Sequence, residues 1–337
     1  MVKDFKHIQT AHCENGVITS LLKHQGLDFM TEPLAFGMGA GLFYLHVPFL
    51  KFSGGPAISF RAMPGGIFKR TCNSLNIELD RRKFKNELKA EQFLDEKIKE
   101  GIPVGCQVGA YHLTYFPKEY RFHFNAHNLI VYGKEGDNYL ISDPVMEEVT
   151  TLSSHDLNKV RFSQGMLAPK GHLYYPKKIG KIDKTTIQKA IISGINRNII
   201  YMLKAPGPII GVTGIKGTAK KIRTWRDKLG PRKAGLYLGQ IVRMQEEIGT
   251  GGGGFRFLYA AFLEQAADHL QDDRLMPISD QFTKAGDMWR TSAVQMAGIY
   301  KGRLTEQKDF DDNADILNEI SAIEKNAFQQ LAKLKLK

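Results

Sequence analysis

The sequence predicts an α+β protein that continues into a helical region. Three observations carry this: an early amphipathic stretch, short apolar runs broken by turn residues through the middle, and helical periodicity without strand patterning from about residue 177. Helix first and sheet second fits α+β rather than a repeating βαβ order. The expected division is a catalytic domain over 1–176 and a mainly helical domain over 177–337.

Along the chain, Cys13 opens the first helix. Val17, Ile18, Leu21 and Leu22 recur at helical spacing up to a stop at Gly26. A Gly-rich connector through Gly54-Gly55-Pro56 follows, then a helical stretch over Asp80–Glu100 and several strands from Val104 to about Leu173. The apolar runs that begin at His127 and at Tyr139 flank the turn Lys134–Asn138 and read as a hairpin. Lys177–Asp183 is a basic connector. Helices are expected over Ile187–Leu203, Ala219–Leu229, Ala234–Ile248 and Phe255–Leu270, and the tail Asp309–Lys337 predicts one more.

With 337 residues, 42% of them hydrophobic, the chain has enough apolar material for two domains. Its N-terminal residues lack a signal-peptide core and no apolar run approaches the ~20 residues of a membrane span, so cytoplasmic residence is expected. Three cysteines, Cys13, Cys72 and Cys106, are an odd, sparse set that argues against a disulfide framework. Cys72 and Cys106 read as structural. The formal charge is +12, and residues 177–233 hold fifteen Lys or Arg against Asp183 and Asp227, a local net of +13. That segment calls for an acidic partner. Little aromatic interleaving beyond Tyr201 and Trp225, and no base-reading module, set nucleic acid aside. His12-Cys13 has no second ligand pair, so no metal is expected.

The chemistry-bearing residues are few. At a helix N-terminus, free N–H groups and the positive end of the dipole favour a thiolate at Cys13 and can receive an oxyanion. His127 starts the first hairpin strand and Asp143, before Pro144, ends the second, so antiparallel pairing brings base and orienting carboxylate together. Gln9, four residues before Cys13, is a candidate amide donor to an oxyanion, with the Cys13 N–H as the other donor. Singly, each of these residues has a bland reading as core or turn; together they form a nucleophile, a base and an acid. Gly37, Gly39 and Gly41 lack a G-x-G-x-x-G frame and instead suit close backbone packing beside the nucleophile helix. Thr250-Gly251-Gly252-Gly253-Gly254 opens into Phe255-Arg256, where backbone N–H groups and a guanidinium are candidates to hold a phosphate; a flexible link is the alternative.

The order Gln, Cys on a helix, then His and Asp on adjacent strands resembles the papain-like fold and the double-glycine leader peptidases. It is more similar to the butirosin biosynthesis protein H family. The residues that carry this resemblance are His12-Cys13-Glu14, the block Glu32-Pro33-Leu34-Ala35-Phe36-Gly37-Met38-Gly39-Ala40-Gly41, and His127–Gly133 with Asp143-Pro144. The block Gly249–Arg256 resembles the helical domain often fused C-terminally. The resemblance implies an acyltransferase that takes an acyl group from the phosphopantetheine thioester of an acidic acyl carrier protein, with no other cofactor bound. On that reading Cys13 attacks, His127 shuttles the proton, Asp143 orients His127 and Gln9 assists the oxyanion; the carrier docks on 177–233 and a small molecule bearing an amine or hydroxyl accepts the acyl group. A cysteine peptidase or amidase with the same triad, and an inert carrier-binding scaffold, are the competing expectations.

Overall fold

The computed structural model describes residues 2–52, 55–205 and 207–336. Helices α1 (Cys13–His24) and α2 (Glu32–Met38) precede strands β1 (Leu42–Phe52) and β2 (Gly55–Arg61). Then come α3 (Gly66–Ser74), β3 (Ile77–Arg82), α4 (Glu87–Lys99), β4 (Val104–Val108), β5 (His127–Glu135), β6 (Asn138–Ser142), β7 (Thr150–Ser153), α5 (Ser154–Arg161) and β8 (Leu173–Ile179). The remainder is helical: α6 (Lys184–Ile199), α7 (Gly211–Leu229), α8 (Pro231–Val242), α9 (Arg256–Leu270), α10 (Met276–Tyr300) and α11 (Gln307–Lys333). The mixed helices and antiparallel strands of the N-terminal part and the long helices that follow are the α+β, papain-like arrangement with a helical C-terminal region that the sequence predicts.

The chain packs as two compact units, Met1–Ala35 with Ile67–Ile182, and Phe36–Gly66 with Asp183–Lys337. In the first unit, six strands form an antiparallel sheet in the order β3-β8-β4-β5-β6-β7. Cys106, Val108, Leu129, Val131 and Ile141 pack with Leu94 and Ile98 of α4 and Leu157 and Val160 of α5. Each such side chain contributes about 1.5–3 kcal/mol by leaving water. Helix α1 packs against β4, β5 and β8. Its residues Cys13–Leu22 are all buried, and β5 is buried at every position from His127 to Val131 because it is covered on both faces.

The helical unit is built around Trp289, Tyr259, Phe262, Phe282 and Phe328, all fully buried. Arg256 also lies in this core. Its Nε and Nη2 donate to the two carboxylate oxygens of Glu324 at 2.8 and 2.9 Å, Nη1 donates to Gly254 O at 2.7 Å, and Trp289 Nε1 donates to Glu324 at 2.9 Å.

Several elements differ from the sequence reading. Leu42–Phe52 and Gly55–Arg61 pair as a hairpin where a Gly-rich connector is expected: Leu42 pairs with Arg61 and Val47 with Ala57, and Pro48 and Pro56 are tolerated in a two-stranded ribbon. Gly54 of the expected connector lies outside the described residues, as does Lys337 of the tail. The helix expected from Asp80 starts at Glu87, after the Asn86 cap that accepts from Lys89 N, because Ile77–Arg82 pairs with β8. That pairing also carries β8 through Ile179, into the expected basic connector. Helix α5 interrupts the expected run of strands, and α10 adds a helix that no expected span covered. Gly37 and Gly41 pack within the helical unit: a Cβ on Gly37 would lie 2.1 Å from the Phe262 ring, and one on Gly194 would lie 2.2 Å from Gly37 O.

Arg256→Ala leaves Glu324 as a buried charge held by Trp289 alone. It should destabilise the helical unit by about 3–5 kcal/mol, read as an earlier denaturant unfolding transition followed by helical circular dichroism.

Candidate active site

The N-terminal segment is laced onto the β5–β6 hairpin before α1 begins. Val2 N donates to Tyr132 O at 2.7 Å, His7 Nδ1 lies 2.7 Å from Ser142 Oγ, and Thr10 N donates to Pro144 O at 2.7 Å. Helix α1 then comes so near the Asp143-Pro144 corner that a Cβ on Gly16 would sit 2.0 Å from Thr10 Oγ1 and 2.4 Å from Pro144 Cβ. Only glycine permits that approach. His12 is the N-cap, its Nδ1 accepting from Asn15 N at 3.3 Å. Glu32, from the second of the family-like blocks, accepts from Ala11 N at 3.0 Å and His12 N at 2.7 Å. Burial holds its carboxyl above the usual range despite those two bonds.

Cys13 therefore enters the helix at a fixed point, 7% exposed, and His127 beside it is 6% exposed. His127 Nε2 lies 2.7 Å from Asp143 Oδ2, and Asp143 is fully buried. With Nε2 facing Asp143, Nδ1 is the ring nitrogen left to serve Cys13, whose side chain is near enough to act on the ring's ionisation. Tyr115 OH donates to the same Asp143 oxygen at 2.7 Å, and Val145 N donates to Oδ1 at 3.2 Å. Burial disfavours charge on His127. The charges of Asp143 and Cys13, with the hydrogen bond that Asp143 accepts, outweigh it and push the imidazole up to about 10 from its ordinary 6.5. Burial and the Asp143 charge push Tyr115 well above the usual phenol range, so its O–H remains a donor.

The three residue types that the sequence singled out are thus brought together: a buried cysteine, a histidine in reach of it and a carboxylate on the far side of the ring. This is a potential cysteine-dependent catalytic centre of the kind typical of papain-like folds.

Gln9 is exposed in the extended segment before α1. A different amide reaches the sulfur: Asn128 Nδ2 lies 3.8 Å from Cys13 Sγ, and it also donates to Ala126 O at 3.0 Å. Asn128 Oδ1 accepts from Tyr174 OH at 2.7 Å. Asn128, Tyr115 and Tyr174 carry no local sequence signal: Asn128 reads as one more residue of the strand that His127 begins, and Tyr174 comes from β8. Cys72 and Cys106 are both fully buried. Burial pushes the Cys72 thiol up to about 12 and raises that of Cys106, which makes each a poor nucleophile.

The glycine run lies in the helical unit. Gly251, Gly252, Gly253 and Gly254 have φ between 56° and 86°, a run of positive φ that glycine adopts without strain, and Phe255 continues it at 72°. One of its N–H groups meets a carboxylate of the chain itself, Gly253 N donating to Glu246 Oε1 at 3.1 Å, while Gly252 N donates to the Thr250 hydroxyl at 3.0 Å. Arg256 is neither at a phosphate site nor on the surface, since Glu324 and Gly254 engage its three nitrogens. In the basic segment, Arg223 pairs with Asp311 and Asp315 and Lys177 with Glu78, while Lys216, Lys220, Lys221 and Lys228 are exposed on α7. Among the described residues, no group of three or more His, Cys, Asp or Glu side chains is placed to hold a metal ion, and no helix is long and apolar enough to cross a membrane.

Two family models match the chain. Residues 12–144 match butirosin biosynthesis protein H, N-terminal, and residues 155–331 match a domain of unknown function (DUF4872). No curated protein matches it.

The raised His127 value has a consequence for stability. A proton bound more tightly in the fold stabilises it fully below about pH 6.5, and that contribution is lost as the pH rises through about 10. Denaturant unfolding across this window should show stability falling with pH in the parent and a flatter profile in Asp143→Asn. Equal slopes would contradict the pairing.

Proposed function

The chain belongs to the DUF4872 family and carries an N-terminal domain of the butirosin biosynthesis protein H family, and from that premise we propose that it is a cysteine-dependent acyltransferase. The observation that carries the reading is the Cys13–His127–Asp143 arrangement, with the imidazole held between sulfur and carboxylate. Cys13 Sγ attacks the carbonyl of a thioester presented on the phosphopantetheine arm of an acyl carrier protein. The departing thiol takes the proton held by His127, leaving an S-acyl enzyme. His127 then accepts a proton from the incoming amine or hydroxyl as that group attacks the acyl carbon, and Cys13 departs as the thiolate. Asp143 holds the ring in position and stabilises its positive form throughout. Burial of all three groups supports transfer, because an S-acyl enzyme shielded from water survives until the acceptor arrives. The exposed lysines of α7 supply the basic surface for an acidic carrier, and a cytoplasmic setting would keep Cys13 reduced.

Incubation with an acylated carrier protein or a small acyl thioester should give a covalent adduct by intact mass that is absent in Cys13→Ala and discharged by an amine or alcohol. Discharge by water alone would make the protein a hydrolase, and no adduct at all would leave a scaffold. Carrier binding should weaken with added salt and on charge reversal of Lys216, Lys220 and Lys221; salt-independent binding would overturn the docking surface.

A further inference from the structure

Beyond the triad, the geometry points to Asn128 as a catalytic residue: its Nδ2–H, with the backbone N–H of Cys13, forms the oxyanion site for carbonyl adducts of Cys13. The amide is held at both ends. Tyr174 OH donates to Oδ1 at 2.7 Å, which fixes the orientation of the group, and one Nδ2 hydrogen is taken by Ala126 O at 3.0 Å. The other hydrogen points at Cys13 Sγ across 3.8 Å, a long contact even for sulfur. The group is 6% exposed, so water competes little for that hydrogen.

The surrounding N–H groups are already engaged. Ala11 N and His12 N donate to Glu32, Asn15 N to His12 Nδ1 and Gly16 N to His12 O. When Sγ bonds to a carbonyl carbon, the C=O π pair moves onto oxygen, and that oxygen lies within about 3 Å of the sulfur, where a preorganised donor is most effective. Collapse restores the C=O bond and expels the leaving thiolate, which takes the proton of the His127 imidazolium. Asn128 thus fills the role that the sequence suggested for Gln9, from the strand that carries the base rather than from the segment before the helix. Tyr174 is a positioning residue that acts through Asn128. Burial, then the Glu14 and Cys13 charges, push its phenol well above the ordinary range, which keeps the O–H in place.

This inference rests on the acyl-transfer reading only for the choice of thioester as electrophile. The test compares the full-length parent with Asn128→Leu and Tyr174→Phe in three reactions of Cys13: acylation by S-acetyl-N-acetylcysteamine, thiohemiacetal formation with propionaldehyde, and alkylation by iodoacetamide, which develops no oxyanion. Asn128→Leu should slow acylation by about 10²–10³ and weaken the aldehyde adduct, with alkylation within about threefold of the parent. Tyr174→Phe should follow the same split to a smaller degree. Acylation and aldehyde binding unchanged in Asn128→Leu, or all three reactions falling together, would overturn the inference and leave Asn128 as a packing residue. A parent that binds the aldehyde but resists every thioester would sink the transfer reading alone, and the aldehyde comparison would still decide for or against Asn128. A parent that forms neither carbonyl adduct overturns both.

Discussion

The buried carboxylate of Asp143 is the anchor of the candidate catalytic centre. It is fully inside the protein, where an unpaired charge costs several kcal/mol, and it is tolerated because His127, Tyr115 and the Val145 backbone all donate to it. That requirement fixes more than one side chain. It holds the end of β6 against the start of β5, engages Nε2 of the imidazole so that Nδ1 is the nitrogen left over, and keeps the ring protonated in a setting that otherwise disfavours charge. The lacing of residues 2–10 onto the same hairpin then delivers the nucleophile to the place where that imidazole waits.

Close approach is the second theme. Gly16 lets α1 run against Pro144, and Gly37 and Gly194 let backbone meet backbone and ring in the helical unit. In the glycine run at 251–254 the Gly253 N–H is turned onto Glu246, and Arg256 neutralises Glu324 in the core. Residues with the composition of an anion site here serve carboxylates of the chain itself, fully buried at Glu324 and partly buried at Glu246, because a carboxylate taken from water needs donors.

How much was legible follows from how local each signal is. The helix after Cys13 and the hairpin of His127 and Asp143 were readable, since apolar spacing and a turn of five residues specify both without reference to the rest of the chain. The hairpin of β1 and β2 was not, because Gly54-Gly55-Pro56 has the composition of a connector unless the pairing is seen. The start of α4 was misplaced because Ile77–Arg82 is extended only by virtue of β8, nearly a hundred residues on. Asn128 and Tyr174 were invisible for the same reason: an Asn beside a His and a Tyr in a later strand mean little until the sheet puts them together.

By itself, then, the chain determined the kind of chemistry on offer. A thiol at a helix start, an imidazole and a carboxylate at two ends of one hairpin are set by residue type and by spacing within some twenty positions, and such local order survives in any fold that keeps the elements. Tertiary structure alone decided which donors surround the sulfur, which charges are neutralised internally and which remain on the surface. Those outcomes depend on contacts between residues far apart in sequence, and on the cost of leaving any buried polar group without a partner.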